Sequence, residues 1–167
     1  MAQNQSFDVT SGVDLQEVDN AVNQATKEVG QRYDFKGQNA EIEYDRKEGK
    51  LTLTASDEYY LDAMWLVIRE RMVSRKVPVK NLDRGKIEPA TGGTVRQEVK
   101  LKQGISNDTC RAIVKLLKDH KLKKVQAAIQ GDSVRISSPS RDELQGVMDL
   151  LRAQDYDVEL QFGNYRG

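Results

Sequence analysis

The 167 residues predict an α+β protein made of two β-α-β-β-α-β halves, each an antiparallel sheet covered by helices on one face. Three observations lead there. One series of strand-like and helix-like apolar patterns runs twice along the chain. A Gly/Pro-containing stretch at residues 83–94 separates the two runs. Each run opens its first helix with a Gly-aliphatic-polar junction, Gly12-Val13-Asp14 and Gly104-Ile105-Ser106.

In the first half, Phe7 and Val9 alternate with polar residues as a short strand, and Leu15, Val18, Val22, Ala25 and Val29 fall on one helical face. Ala40, Ile42 and Tyr44 alternate with Glu41 and Glu43, Gly49 turns the chain, and Leu51 and Leu53 alternate with threonines, which predicts a hairpin. Ser56 or Asp57 caps a helix burying Leu61, Met64, Trp65, Ile68 and Met72. Val77 and Val79 beside Pro78 then read as a poor edge strand. The aromatics Tyr33, Phe35, Tyr59, Tyr60 and Trp65 read as packing residues.

In the second half, Val95, Gln97, Val99 and Leu101 face one way while Arg96, Glu98, Lys100 and Lys102 face the other. A helix burying Cys110, Ile113, Val114 and Leu117 follows, with His120 at its C-terminal end. Val125, Ala127 and Ile129 form a strand, Gly131-Asp132 a tight turn, and Val134 and Ile136 the partner strand. Ser140 to Glu143 has the form of a capping box ahead of Leu144, Val147, Met148 and Leu151, and Val158, Leu160 and Phe162 close as a strand. Both halves thus have the split arrangement of ferredoxin-like domains, 1–93 and 94–167.

Composition narrows the chemistry. No run approaches the roughly 18 apolar residues of a membrane helix, and the N-terminus lacks the marks of a secretory signal, so a cytoplasmic protein without a membrane partner is expected. One Cys and one His leave no internal disulfide, no structural zinc site and almost no material for nucleophilic catalysis. No phosphate-cradling or dinucleotide loop is present either. Neither an enzyme nor a cofactor or bound metal is expected.

The 26 Lys/Arg balance the 26 Asp/Glu exactly in number but not in place. Residues 1–93 hold 13 against 16, and residues 94–167 hold 13 against 10. Residues 95–124 have nine basic residues (Arg96, Lys100, Lys102, Arg111, Lys115, Lys118, Lys121, Lys123 and Lys124) and three acidic ones. Such a patch suits phosphate through counterion release; it equally suits a solvated helix face. On the open face of the second sheet, Lys100, Lys102, Gln126, Gln130, Ser133, Arg135 and Gln161 could meet phosphate and base edges. Only Phe162 and Tyr165 offer rings for stacking there, and the aromatic RNA-recognition motif is absent.

Six ordered segments resemble the YajQ family of bacterial nucleotide-binding proteins. They are Ser6-Phe-Asp-Val, Tyr33-Asp-Phe35, Lys100-Leu-Lys-Gln-Gly-Ile105, Lys124-Val-Gln-Ala-Ala-Ile-Gln-Gly-Asp132, Ser140-Arg-Asp-Glu-Leu-Gln145 and Leu160-Gln-Phe-Gly-Asn-Tyr-Arg166. Ser138-Pro139 stands where the family usually has Gly-Lys. The resemblance implies that the two domains exchange first strands, residues 94–102 completing the first sheet and 6–11 the second. It also implies non-enzymatic binding of a nucleotide, cyclic di-GMP or a related nucleotide or RNA phosphate, in a regulatory role with a transcription-factor partner for some members. The positions in matched segments with suitable chemistry are Lys100, Lys102, Arg135 and Arg141 for phosphate, Gln103, Gln126 and Gln130 for base or ribose edges, and Phe162 or Tyr165 for stacking. The competing reading is a protein-interaction adaptor that docks a partner, such as a transcription factor, through its aromatics and the N-terminal acidic face bearing Glu41 and Glu43, the basic patch being only solvated surface.

Overall fold

Asp14 starts the first helix, α1 (Leu15–Gln31): its Oδ1 accepts from the backbone N–H groups of Gln16 and Glu17 at 2.9 and 3.4 Å, satisfying donors the first turn leaves open. In the computed structural model, which describes residues 4–122 and 124–167, α1 belongs to the compact unit formed by residues 13–102. Lys123, counted in the basic segment above, lies outside the described residues. Val18, Ala21, Val22, Ala25 and Val29 recur at helical spacing and are buried. The expected hairpin is β2 (Ala40–Asp45) and β3 (Lys50–Ala55), and Asp57 caps α2 (Glu58–Ser74) by accepting from the Tyr60 N–H at 3.0 Å. With β4 (Leu82–Pro89) and β5 (Val95–Leu101), the sheet runs β2-β3-β5-β4, antiparallel throughout. Leu51, Leu53, Val99 and Leu101 pack on the same core as Leu61, Met64, Ile68 and Met72.

Two expectations fail in this unit. Residues 83–89 are not linker but most of β4, whereas Val77 and Val79 form no strand; Val79–Asn81 is a single 3-10 turn. A register shift between Arg84 and Ile87 breaks the alternation by which a strand is recognised, and Gly85 sits in it. Here the Gln97 amide, buried under the sheet, donates to the Gly85 carbonyl at 2.8 Å and accepts from Arg84 Nε at 3.0 Å. A side chain at Gly85 would put its Cβ 3.1 Å from the Glu98 carbonyl oxygen. The aromatics divide: Phe35 and Trp65 are buried and Tyr60 packs on the core, but Tyr33 and Tyr59 stand exposed.

Residues 4–12 and 103–167 form the other unit. It contains β1 (Gln5–Thr10), α3 (Asn107–Asp119), β6 (Gln126–Gln130), β7 (Ser133–Ser138), α4 (Arg141–Arg152) and β8 (Gln161–Arg166). The sheet order is β6-β7-β1-β8, again antiparallel. Taking β5 as the first strand of one sheet and β1 of the other, both show the same order, and the two units are ferredoxin-like. Phe7, Val9, Val134 and Ile136 pack with Ile113, Leu117, Leu144, Val147 and Leu151. Ser106 and Ser140 cap the helices by accepting from the N–H groups of Thr109 and Glu143 at 3.2 and 3.3 Å. Cys110 is a core residue whose burial pushes its thiol above the ordinary range, and His120 caps the end of α3. The last strand lies further along than the Val158-Leu160-Phe162 pattern suggests: Val158 and Leu160 are packed on the core ahead of β8.

Candidate functional site

Strand alternation sends Phe7, Val9, Val134 and Ile136 into the core, so their neighbours line the uncovered face of the same sheet. Register places these neighbours in rows. Ala128, Arg135 and Asp8 stand side by side, as do Gln126, Ser137, Ser6 and Arg166. Arg135 Nε donates to Asp8 Oδ1 at 2.9 Å, and Asn164 Nδ2 donates to Asp8 Oδ2 at 2.7 Å. Asn164 reaches it from a left-handed backbone, φ 53°, beside the register shift between Ser6 and Asp8. These bonds, with the positive charges of Arg135 and Arg166, hold the Asp8 carboxyl below the usual carboxylate range although its burial acts in the opposite sense. Asp8 is the one acid in the paired rows of this face, which also hold two arginines.

The uncovered face of the other sheet has the opposite balance. Its rows are Glu41, Thr54, Arg96 and Glu88; Glu43, Thr52 and Glu98; and Asp45, Lys50, Lys100 and Asp83. Six carboxylates surround three cations. Arg96 of β5 pairs with Glu88 at 3.3 Å, so one β5 cation is neutralised within its own sheet, and Glu98 of β5 pairs with Lys50 at 3.2 Å. Arg96 also shares a hollow of about 420 Å³ with Glu41 and Glu43.

Apart from Gln103, the nominated residues therefore divide into three groups. Lys100 and Lys102 belong to residues 13–102, and Lys100 stands on the acidic face. Gln126, Gln130 and Arg135 share the open face of the other unit. Arg141, Phe162 and Tyr165 gather on the covered side. The Arg141 guanidinium lies 6.0 Å from the Tyr165 ring, and Phe162, in register with the core residue Val9, meets Phe7 edge-on at 5.8 Å under the guanidinium of Arg152. The Tyr165 hydroxyl donates to Gln5 Oε1. Gln103 packs its amide over Gly12, where an added Cβ would meet Gln103 Oε1 at 2.6 Å. Ser138, in place of the family's usual glycine, is buried and accepts from the Ser140 N–H at 3.1 Å. Asp8, Asn164 and Arg166 escape sequence reasoning: alternation shows that Asp8 faces away from the core, but nothing local shows which strands flank it.

The profile of the YajQ-like nucleotide-binding proteins matches residues 5–166. The chain belongs to this family. Within it, the chain is 50% identical over 166 residues to a protein of Carboxydothermus hydrogenoformans named nucleotide-binding protein, covering 99% of this chain and 100% of the relative. A protein of the same name from Chloroherpeton thalassium is 49% identical with the same coverage, and one from Trichlorobacter lovleyi is 48% identical over 161 residues, 96% of this chain and 98% of the relative. The YajQ-like match spans both sheets. Among the described residues no group of His, Cys, Asp and Glu is placed to hold a metal ion, and no helix is long and apolar enough to cross a membrane.

Proposed function

We propose that this YajQ-like chain is a non-enzymatic nucleotide-binding protein that takes a nucleotide phosphate on the open face of the sheet β6-β7-β1-β8 and serves as a regulatory effector. The observation that supports this face is its charge. Asp8 is the one acid in its paired rows among the described residues and is already satisfied by Arg135 and Asn164, whereas the paired rows of the other sheet set six carboxylates against three cations. Arg135 spends Nε on Asp8 and makes no other hydrogen bond among the described residues, so a fixed guanidinium keeps its terminal N–H donors for phosphate oxygens or a guanine edge. Arg166 lies one row away, and the exposed Gln126 and Gln130 supply amides for base or ribose edges. This is the chemistry of cyclic di-GMP, of a related nucleotide and of a short RNA.

Titration calorimetry with cyclic di-GMP, guanosine and adenosine nucleotides and a short single-stranded RNA distinguishes these ligands. Arg135→Ala is expected to weaken the ligand that binds by roughly tenfold or more, in line with loss of a charged hydrogen bond. Lys100→Ala with Lys102→Ala is expected to leave it nearly unchanged. Heat with none of the ligands, or the reverse pattern of variants, overturns the reading.

A further inference from the structure

We propose that two copies of this chain associate through the outer edge of β6, joining their sheets across a two-fold axis at Ala128. In the order β6-β7-β1-β8, one side of β6 pairs with β7 and the other meets no strand of the described residues. Such an edge offers its backbone groups to another strand, and proteins commonly blunt it with charge, a bulge or proline. The other three edges are blunted. β2 has Glu41, Glu43 and Asp45; β4 has four charged residues, a register shift and a terminal proline; β8 has a register shift and Asn164 in a left-handed conformation. Gln126-Ala-Ala-Ile-Gln130 has none of these devices.

The segment is also nearly palindromic. Antiparallel pairing centred on Ala128 sets Gln126 against Gln130 and Ala127 against Ile129 of the second copy, with Ala128 facing its own counterpart. The two-residue turn Gly131-Asp132 makes Gln130 and Ser133 the hydrogen-bonded pair that closes the hairpin. By alternation, Ala127 and Ile129 then point their backbone groups away from β7. They are the residues that would bond across the axis, and the Ala128 pair is a close, non-bonded one that small side chains suit. Ile129 is 40% exposed, and Ala127 lines a hollow of about 560 Å³ with Val114, Leu122 and Val125. Pairing would set Ile129 of the second copy beside Ala127 at that hollow. Lys124 leaves extended backbone (φ 64°) ahead of β6, and antiparallel pairing brings this exposed residue to the end of the second copy's β6, near its exposed Asp132, once on each side of the axis.

The test is sedimentation equilibrium of the full chain across the micromolar range. A concentration-dependent dimer is expected. Ala128→Lys and Ala128→Glu, each setting like charges against one another at the axis, are expected to be monomeric alone with unchanged far-ultraviolet circular dichroism, and to dimerise when mixed. Lys124→Glu is expected to weaken the dimer on the order of tenfold. If the Ala128 variants misfold, Lys124→Glu alone decides. A native chain that stays monomeric, a dimer indifferent to these changes, or a mixture that fails to pair overturns the proposal.

Discussion

Asp8 ties stability to charge at one residue. Its carboxyl is held ionised by Arg135 and Asn164, so its pKa in the folded state is depressed. A depressed carboxylate contributes stability that is fully present above its unfolded pKa of about 3.9 and is lost as pH falls through the folded value. Asp8→Asn is therefore expected to lower the urea midpoint at about pH 7, and the gap from the native chain is expected to narrow as pH falls below the unfolded pKa of about 3.9 and to close once Asp8 is protonated in the folded chain as well. A gap that persists in acid would show that Asp8 acts through packing instead of charge. The outward placement of Asp8 was legible from the alternation around Phe7 and Val9. Its bond to Arg135 was not, because 127 residues separate the two.

At the scale of elements, helix starts were the most legible features, since a cap is a local event: Asp14, Asp57, Ser106 and Ser140 each bond a backbone N–H two or three residues on. β4 was the least legible. Leu82 and Ile87 stand five apart across the register shift, so no period of two remains, and the glycine that permits close approach to β5 reads as a loop residue. Gln97 holds this irregularity together from the opposite strand. Gln97→Leu removes both part-buried bonds, and is expected to cost about 1–2 kcal/mol in urea unfolding. An unchanged midpoint would mean that water or a rearranged strand replaces the amide.

For the whole molecule, charge shows how sequence and fold differ. Divided at residue 93, the chain looks acidic then basic. Divided by its contacts, residues 13–102 hold 16 Lys/Arg and 16 Asp/Glu, and ten of each remain for the other unit. The apparent asymmetry arises mostly because Arg96, Lys100 and Lys102 belong with the residues that precede them. Neutral units favour capture of a few phosphates over extended nucleic-acid binding. The logarithm of affinity for single-stranded RNA should fall against that of salt with a slope no steeper than about −2, compared with about −4 or beyond for six phosphate contacts. A steep slope in calorimetry at several salt concentrations would contradict this. Composition and local periodicity by themselves determined the paired β-α-β-β-α-β plan, the helix caps, most of the core and the shortage of catalytic groups, because each depends on neighbours a few residues away. Only the tertiary structure decided that β1 lies between β7 and β8 and β5 between β3 and β4, and hence which charges meet on each sheet face. Strand partners are chosen by packing across the whole chain, and a period of two is the same whichever strand lies alongside.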